Sequence, residues 1–360
     1  MTLKKSLLWL FALMVIIILV ISLGWDDIRS ALLRVHPMIL IGLLVLQTAT
    51  ILAVSFQWRY LLKKTNRPVS LLLTLLINLA GNFIESVTPS VKLGGEAAKV
   101  IYYHKYTGLG YDRLTGIMLA LKLFSLLPFV VFSALALLLA ITVFELPAIT
   151  LIAFVLLFVV VFMLSLIYYK SSEIDGAVYK KDMPSDNLFP SSRSNISGKI
   201  NFLLSLIFNK IEKGKRFIRR STVFARNLTT IKDIYLLVAV SSLVWVLYPV
   251  KVFIITRMLD LNVTFLSVII ITFTAYLVSM APILPGGLGS FEGTMTLMFS
   301  LMGFTPAQGM AVALLSRLVT FWFPLLWSGC AAGYLVIYKP RATSIEAGDP
   351  VPARGKIYNT

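Results

Sequence analysis

Apolar residues fill this chain in long blocks. Residues 6–23, 38–56, 146–169 and 234–255 are each apolar over 18 residues or more, with Lys251 as the single charge among them. As helix, each block is long enough to cross a hydrocarbon core of roughly 30 Å. Two further apolar stretches, 113–144 and 306–338, contain an internal proline and read as bent helices, so the pattern predicts six full spans. The first block follows Lys4 and Lys5, exceeds the usual apolar length of a cleavable signal and lacks a clear small-residue site, so a retained helix is expected there.

Two other apolar stretches are broken in the same way. Val87 to Glu96 reads VTPSVKLGGE and Leu284 to Glu292 reads LPGGLGSFE. In each, a glutamate follows a proline by seven residues with a glycine pair between them: Pro89, Gly94, Gly95 and Glu96, then Pro285, Gly286, Gly287 and Glu292. Proline and glycine release backbone groups from the helical ladder, and a bilayer tolerates this only where the backbone is buried in protein or lines a wet cavity. Each break is therefore expected to line something.

Composition fixes the class. The chain is 58 % hydrophobic and 14 % charged, with a mean hydropathy of +0.88, which identifies an all-α integral membrane protein. The net charge of +17 does not indicate nucleic acid, because 27 of the 33 basic residues fall in segments that the positive-inside rule assigns to the cytoplasm. Thirteen of them lie in 170–233, and the others flank the N-terminus, the loop after the second span, the stretch from Lys92 to Arg113 and the C-terminal tail. Both termini are expected inside the cell, in a multi-pass protein of the cytoplasmic membrane. One cysteine, Cys330, excludes a disulfide framework, and His36 and His104 have no acidic or cysteine cluster at ligand spacing, so neither metal nor cofactor is expected.

The same charge pattern folds the broken segments back on themselves. Residues 69–89 leave a basic loop and Lys99 and Lys105 follow soon after the break, so the chain returns to the side it came from. The stretch 265–284 starts near Arg257 and Asp260 on the other side and comes back through 294–303. Two oppositely oriented re-entrant helical hairpins result. Flanking residues suggest a duplication: Lys122 follows Pro89 by 33 residues and Arg317 follows Pro285 by 32, each heading a similar tract, KLFSLLPF and RLVTFWFPL. The expectation is one transmembrane domain over 1–340, an inverted repeat with halves at about 38–169 and 234–338. Between them, 170–233 reads as a basic cytoplasmic loop with an amphipathic helix from about residue 200 to 226, lying along anionic headgroups or serving only as a topology signal. Residues 341–360 read as a disordered tail.

Depth singles out the charged candidates. Lys122 and Arg317 fall near the midplane, where a basic residue costs about 2.5–3.5 kcal/mol and needs a partner or a wet cavity. Glu96 and Glu292 are the expected partners, either as structural pins or as part of a substrate or proton site. The tips offer a second device: helices starting just past Gly94 and Gly95, or past Gly286, Gly287 and Gly289, would present free N–H groups to an anion such as phosphate, with Lys92 adding charge at the first tip. Alternatively, the glycines serve close packing. Asn78, Asn82 and Glu85 share one helix face before the first break, making it the more polar wall. Lys251 is expected to snorkel outward and is given no role.

The blocks TPSVKLGGEAAKVIYYHK at 88–105, LPGGLGSFEG at 284–293 and ALLSRLVTFWFPLLWSG at 313–329 resemble the membrane domain of the lysylphosphatidylglycerol synthase/flippase family, with similarity over about residues 5–338. The resemblance implies a protein that moves aminoacylated phospholipids or other lipid-linked species. It points to Pro89, Gly94, Gly95 and Glu96 in one motif and to Pro285, Gly286, Gly287, Gly289, Glu292 and Arg317 in the other, while Lys122 stands where the family tends to have arginine. Full-length synthases carry a soluble catalytic domain, whereas only about twenty residues follow the last span here, so tRNA-dependent synthesis is not expected, and no nucleophile, base and orienter set suggests another enzyme. The leading expectation is a flippase-like translocase binding a membrane lipid with an anionic or phosphate-bearing head group. The alternatives are a small-solute secondary transporter and a non-transporting membrane partner of a separate lipid-modifying enzyme.

Overall fold

Helix is the sole regular structure among the described residues, which in this computed structural model are 35–87, 93–141, 148–170, 196–280 and 285–338. The elements are α1 (Pro37–Lys63), α2 (Leu71–Val87), α3 (Leu93–Thr107), α4 (Tyr111–Ile141), α5 (Ala148–Lys170), α6 (Ile196–Leu228), α7 (Ile231–Met258), α8 (Phe265–Ser279), a 3₁₀ turn (Pro285–Gly287), α9 (Ser290–Leu301), α10 (Pro306–Arg317), a π turn (Leu318–Trp322) and α11 (Phe323–Tyr338). The π turn joins α10 and α11 into one rod, which leaves ten helices. Among the described residues, four are long and apolar enough to cross a membrane: Pro37–Lys63, Tyr111–Ala140, Ile231–Met258 and Pro306–Ile337. The run 146–169 falls largely on α5, which is 23 residues long. The run 6–23 and the tail 341–360 lie outside the described residues.

One arrangement occurs twice. A long helix, two shorter helices around a break, and a second long rod appear as α1, α2, α3, α4 and again as α7, α8, α9, α10–α11. The connections repeat as well. Asn66 and Asp260, just past α1 and α7, both take left-handed backbone (φ 57° and 56°), and Gly108 and Gly303, just past α3 and α9, do the same (φ 68° and 85°). A buried core lies in each half, one around Leu61, Ile77, Tyr103 and Phe124, the other around Ile255, Ile271, Phe291 and Val312. A smaller cluster of Phe129, Leu137, Phe273 and Leu277 ties α4 to α8. The halves exchange contacts crosswise: α1 packs on α7, α2 on α11 and α8 on α4.

Both broken stretches are helical hairpins. On α2 and α3, Tyr103 Oη lies 3.5 Å from the Thr74 carbonyl toward one end, and Gly95 meets Gly81 and Glu85 toward the other, so the helices run antiparallel. α8 packs on α9, with the Tyr276 ring 5.1 Å from Phe291. Both rods contain their proline, but differently. Pro128 follows Lys122 by six residues and sits within the unbroken α4, whereas Pro324 follows Arg317 by seven. That extra residue is taken up by the π turn, in which the Phe323 N–H donates to the Leu318 carbonyl, so the chain absorbs both the insertion and the missing proline donor immediately after Arg317.

The expected basic helix at 200–226 lies within α6. Its C-terminal part packs on α4 and α5. Ser221, Thr222 and Ala225 are buried, Arg113 stacks over Phe224 at 5.7 Å, and a Cβ on Gly116 of α4 would run into the Ser221 carbonyl. Charged side chains Glu212, Lys213, Lys215 and Arg216 on the preceding turns are exposed.

Candidate functional site

Each hairpin brings its glutamate to the basic residue of the following rod. Lys122 and Arg317 each stand eleven residues past the first residue of their helix, Tyr111 and Pro306, roughly 16 Å along the axis. In the first half the Lys122 Nζ lies 3.2 Å from Glu96 Oε1. In the second the Arg317 Nε lies 3.0 Å from Glu292 Oε1. The α2 helix also touches the Pro285–Gly287 turn, so the first hairpin meets the tip of the second.

The two pairs differ in what surrounds them. Arg317 and Glu292 are sealed, with side chains 7 % and 2 % exposed. Arg317 Nη2 donates to the Gly287 carbonyl at 2.6 Å, and its guanidinium stacks over Phe291 and Phe321, 4.3 and 5.3 Å from the ring centres. Glu292 also accepts the N–H of Gly289 at 2.7 Å, in the position where an acidic residue satisfies the start of a helix. This second pair is a closed set of bonds.

The first pair is open, and two lysines converge on its carboxylate. Glu96 faces two ammonium groups, Lys122 and, at 3.4 Å, Lys99. Lys99 is buried, while Lys122 keeps 35 % of its side chain exposed. Glu85 lies within electrostatic reach of Lys122. Asn82 and Glu85 are half-buried on α2, and Asn78, one turn earlier, is buried with neither amide atom hydrogen-bonded among the described residues. An accessible cation beside a half-buried polar helix face can receive an anionic group.

Other candidates fall elsewhere. Pro89 and Lys92 lie outside the described residues. Gly94 and Gly95 do not precede their helix: α3 begins at Leu93, so both sit in its first turn. A Cβ on Gly95 would run into the Gly81 carbonyl and Glu85, so this glycine serves close helix packing. Pro285, Gly286 and Gly287 form the 3₁₀ turn and Gly289 caps α9 as expected of a tip, but Arg317 and Glu292 occupy its polar groups.

Two residues escaped the sequence reading. Lys99, counted there with the cytoplasmic charges, belongs to the site, and its three-residue spacing from Glu96 on a helix was the available signal. Lys251 does not snorkel. It is fully buried, with Nζ 2.5 Å from Gln47 Oε1, 3.3 Å from Thr50 Oγ1 and 4.3 Å from the centre of the Tyr248 ring.

Known proteins match over most of this length. The UPF0104 membrane protein PH1989 of Pyrococcus horikoshii is 26 % identical over 329 residues, covering 91 % of this chain and 96 % of that protein. A UPF0104 membrane protein of Methanothermobacter thermautotrophicus is 24 % identical over 330 residues, 89 % of this chain and 92 % of its own. The UPF0104 membrane protein MJ1595 of Methanocaldococcus jannaschii is 24 % identical over 341 residues, 90 % and 92 % respectively. Residues 8–328 match the family described as the lysylphosphatidylglycerol synthase TM region. This multi-pass integral membrane protein, with both its hairpins and the Lys122–Glu96 and Arg317–Glu292 pairs inside the matched region, belongs to that family.

Proposed function

We propose that the protein is a flippase-like lipid translocase of the cytoplasmic membrane. In this reading the hairpins are re-entrant and enter from opposite faces, the repeat is inverted, six helices span the bilayer, and both termini are cytoplasmic. The observation that carries it is the open pair at the first hairpin: Glu96 set against Lys99 and Lys122, with Lys122 still one-third exposed.

A phosphate-bearing head group would bind Lys122, with Glu96 as its displaced counter-charge and the Asn78, Asn82 and Glu85 face as the polar wall, while the acyl chains stay in lipid. The Arg317–Glu292 pair would hold the second hairpin in shape. Helix breaks near the bilayer midplane are the devices by which inverted-repeat transporters build such sites. Family membership supports a lipid-related role.

The test is head-group translocation of fluorescent phosphatidylglycerol in vesicles reconstituted with the purified chain. Removing one charge-assisted hydrogen bond costs about 1.5–3 kcal/mol, so Lys122→Ala should slow transfer on the order of tenfold or more, and Glu96→Gln should also change the rate. Wild-type rates in both variants would sink the assignment. Transport of a soluble anion without lipid transfer would favour a small-solute transporter, and no transport of either would favour a partner of a separate lipid-modifying enzyme.

A further inference from the structure

We propose that Lys251 is a proton-binding site, set between α1 and α7 and separate from the two carboxylate pairs. Its side chain is fully buried, and its place seven residues before the end of α7, roughly 10 Å along the axis, keeps the amine from reaching the helix end. Its hydrogen bonds go to Gln47 and Thr50 of α1, both neutral. Among the described residues it forms no ion pair with a carboxylate.

Among the described residues, the surrounding elements supply no fixed counter-charge at the amine. Its own helix presents Tyr248, over whose ring it lies. α8 presents Tyr276, which packs on Tyr248 with ring centres 4.8 Å apart. α10 carries Arg317, already committed to Glu292. α4 carries Lys122, held by Glu96, and from α2 Glu85 reaches Tyr248 electrostatically. At the far end of the α1–α7 contact, Tyr60 and Lys64 hold Asp233.

A permanent charge enclosed in this way is poorly compensated, and lysine, unlike arginine, can release its proton. Both protonation states fit the same contacts. The ammonium donates to Gln47 and Thr50 and uses the Tyr248 ring face, while the neutral amine keeps the same two donations with its two N–H bonds, the Thr50 hydroxyl proton being committed to the Leu46 carbonyl. Because α1 and α7 are the equivalent helices of the two halves, a change of charge at their contact acts where the halves join.

The experiment measures thermal unfolding of the full chain in detergent from about pH 6 to pH 9, for wild type, Lys251→Met and Lys251→Arg. A lysine in the unfolded chain stays charged throughout this range, so a pH-dependent difference between wild type and a non-titrating variant reports proton exchange by the folded protein. The expected result is that wild type separates from both variants by several degrees over one shared pH interval, while the two variants keep a constant offset from each other. A wild-type-minus-variant difference that stays constant with pH would overturn the proposal and leave Lys251 as a structural donor. Lys251→Gln replaces the methionine variant should that one fail to fold, and the arginine comparison is decisive alone because arginine keeps its charge. No lipid enters the measurement, so its outcome is independent of the translocase reading.

Discussion

Lys122 and Arg317 stand at the same register in equivalent helices and meet opposite environments, one side chain 35 % exposed and the other 7 %. The difference follows from local bonding. Arg317 spends its donors on Glu292 and on the Gly287 carbonyl of a tip that closes around it, whereas Lys122 shares one carboxylate with Lys99 and retains access.

Removing Arg317 should therefore be a folding defect before it is a transport defect. Arg317→Ala leaves the Glu292 carboxylate buried and unpaired, a change that costs about 3–5 kcal/mol in comparable pairs. Arg317→Met combined with Glu292→Met removes both charges and should recover much of the loss. Thermal unfolding of the two variants checks this, and a double variant less stable than Arg317→Ala would contradict it.

Gly116 gives a test of how α6 is held. A side chain there would collide with the Ser221 backbone carbonyl, so Gly116→Val should force α6 off α4 and destabilise by about 1–3 kcal/mol, the usual scale of overpacking. Limited proteolysis within α6 should accelerate in parallel. Unchanged proteolysis would mean that α6 is held by other contacts.

Much of this arrangement was legible in the chain. Apolar block length yields the long helices, and the proline-to-glutamate spacing with a basic residue some 32 residues on yields both ion pairs. Lys99 reads as a topology signal because it is a positive charge near a span end, and only its helical neighbour Glu96 marks it as part of the site. Lys251 was beyond a local reading: its acceptors Gln47 and Thr50 are 204 and 201 residues away, and they make an enclosed polar niche only when α1 packs on α7. Gly94 and Gly95 read as a break before α3, whereas the helix starts at Leu93 and Gly95 serves close approach to α2.

The second tip allows a comparison within one short segment. Gly287 has φ 66°, and a Cβ there would sit 2.7 Å from the Ser279 carbonyl, so Gly287→Ala carries both strain and a clash and should displace the carbonyl that Arg317 binds. Gly293 lies inside α9 with nothing within 4 Å of a Cβ, so Gly293→Ala should gain about 0.5–1 kcal/mol from helix propensity. Opposite shifts in unfolding temperature are expected, and a loss at Gly293 would show that open space there is used.

Asp233 is the last test and concerns the start of α7 rather than its middle. Its carboxylate accepts the N–H of Thr230 at 2.6 Å, receives the Tyr60 hydroxyl at 2.5 Å and pairs with Lys64. One buried acidic side chain thus satisfies a helix start and fastens α1 to α7 at the end opposite Lys251. Asp233→Asn keeps an acceptor for the Thr230 N–H but loses the charge facing Lys64, whereas Asp233→Ala loses both. The alanine variant should fall by more than the 0.5–2 kcal/mol typical of a lost cap, and the asparagine variant by less than alanine. Equal losses in the two would mean that the charge, and not the cap, holds this junction, and the ordering is read directly from unfolding temperatures at a single pH.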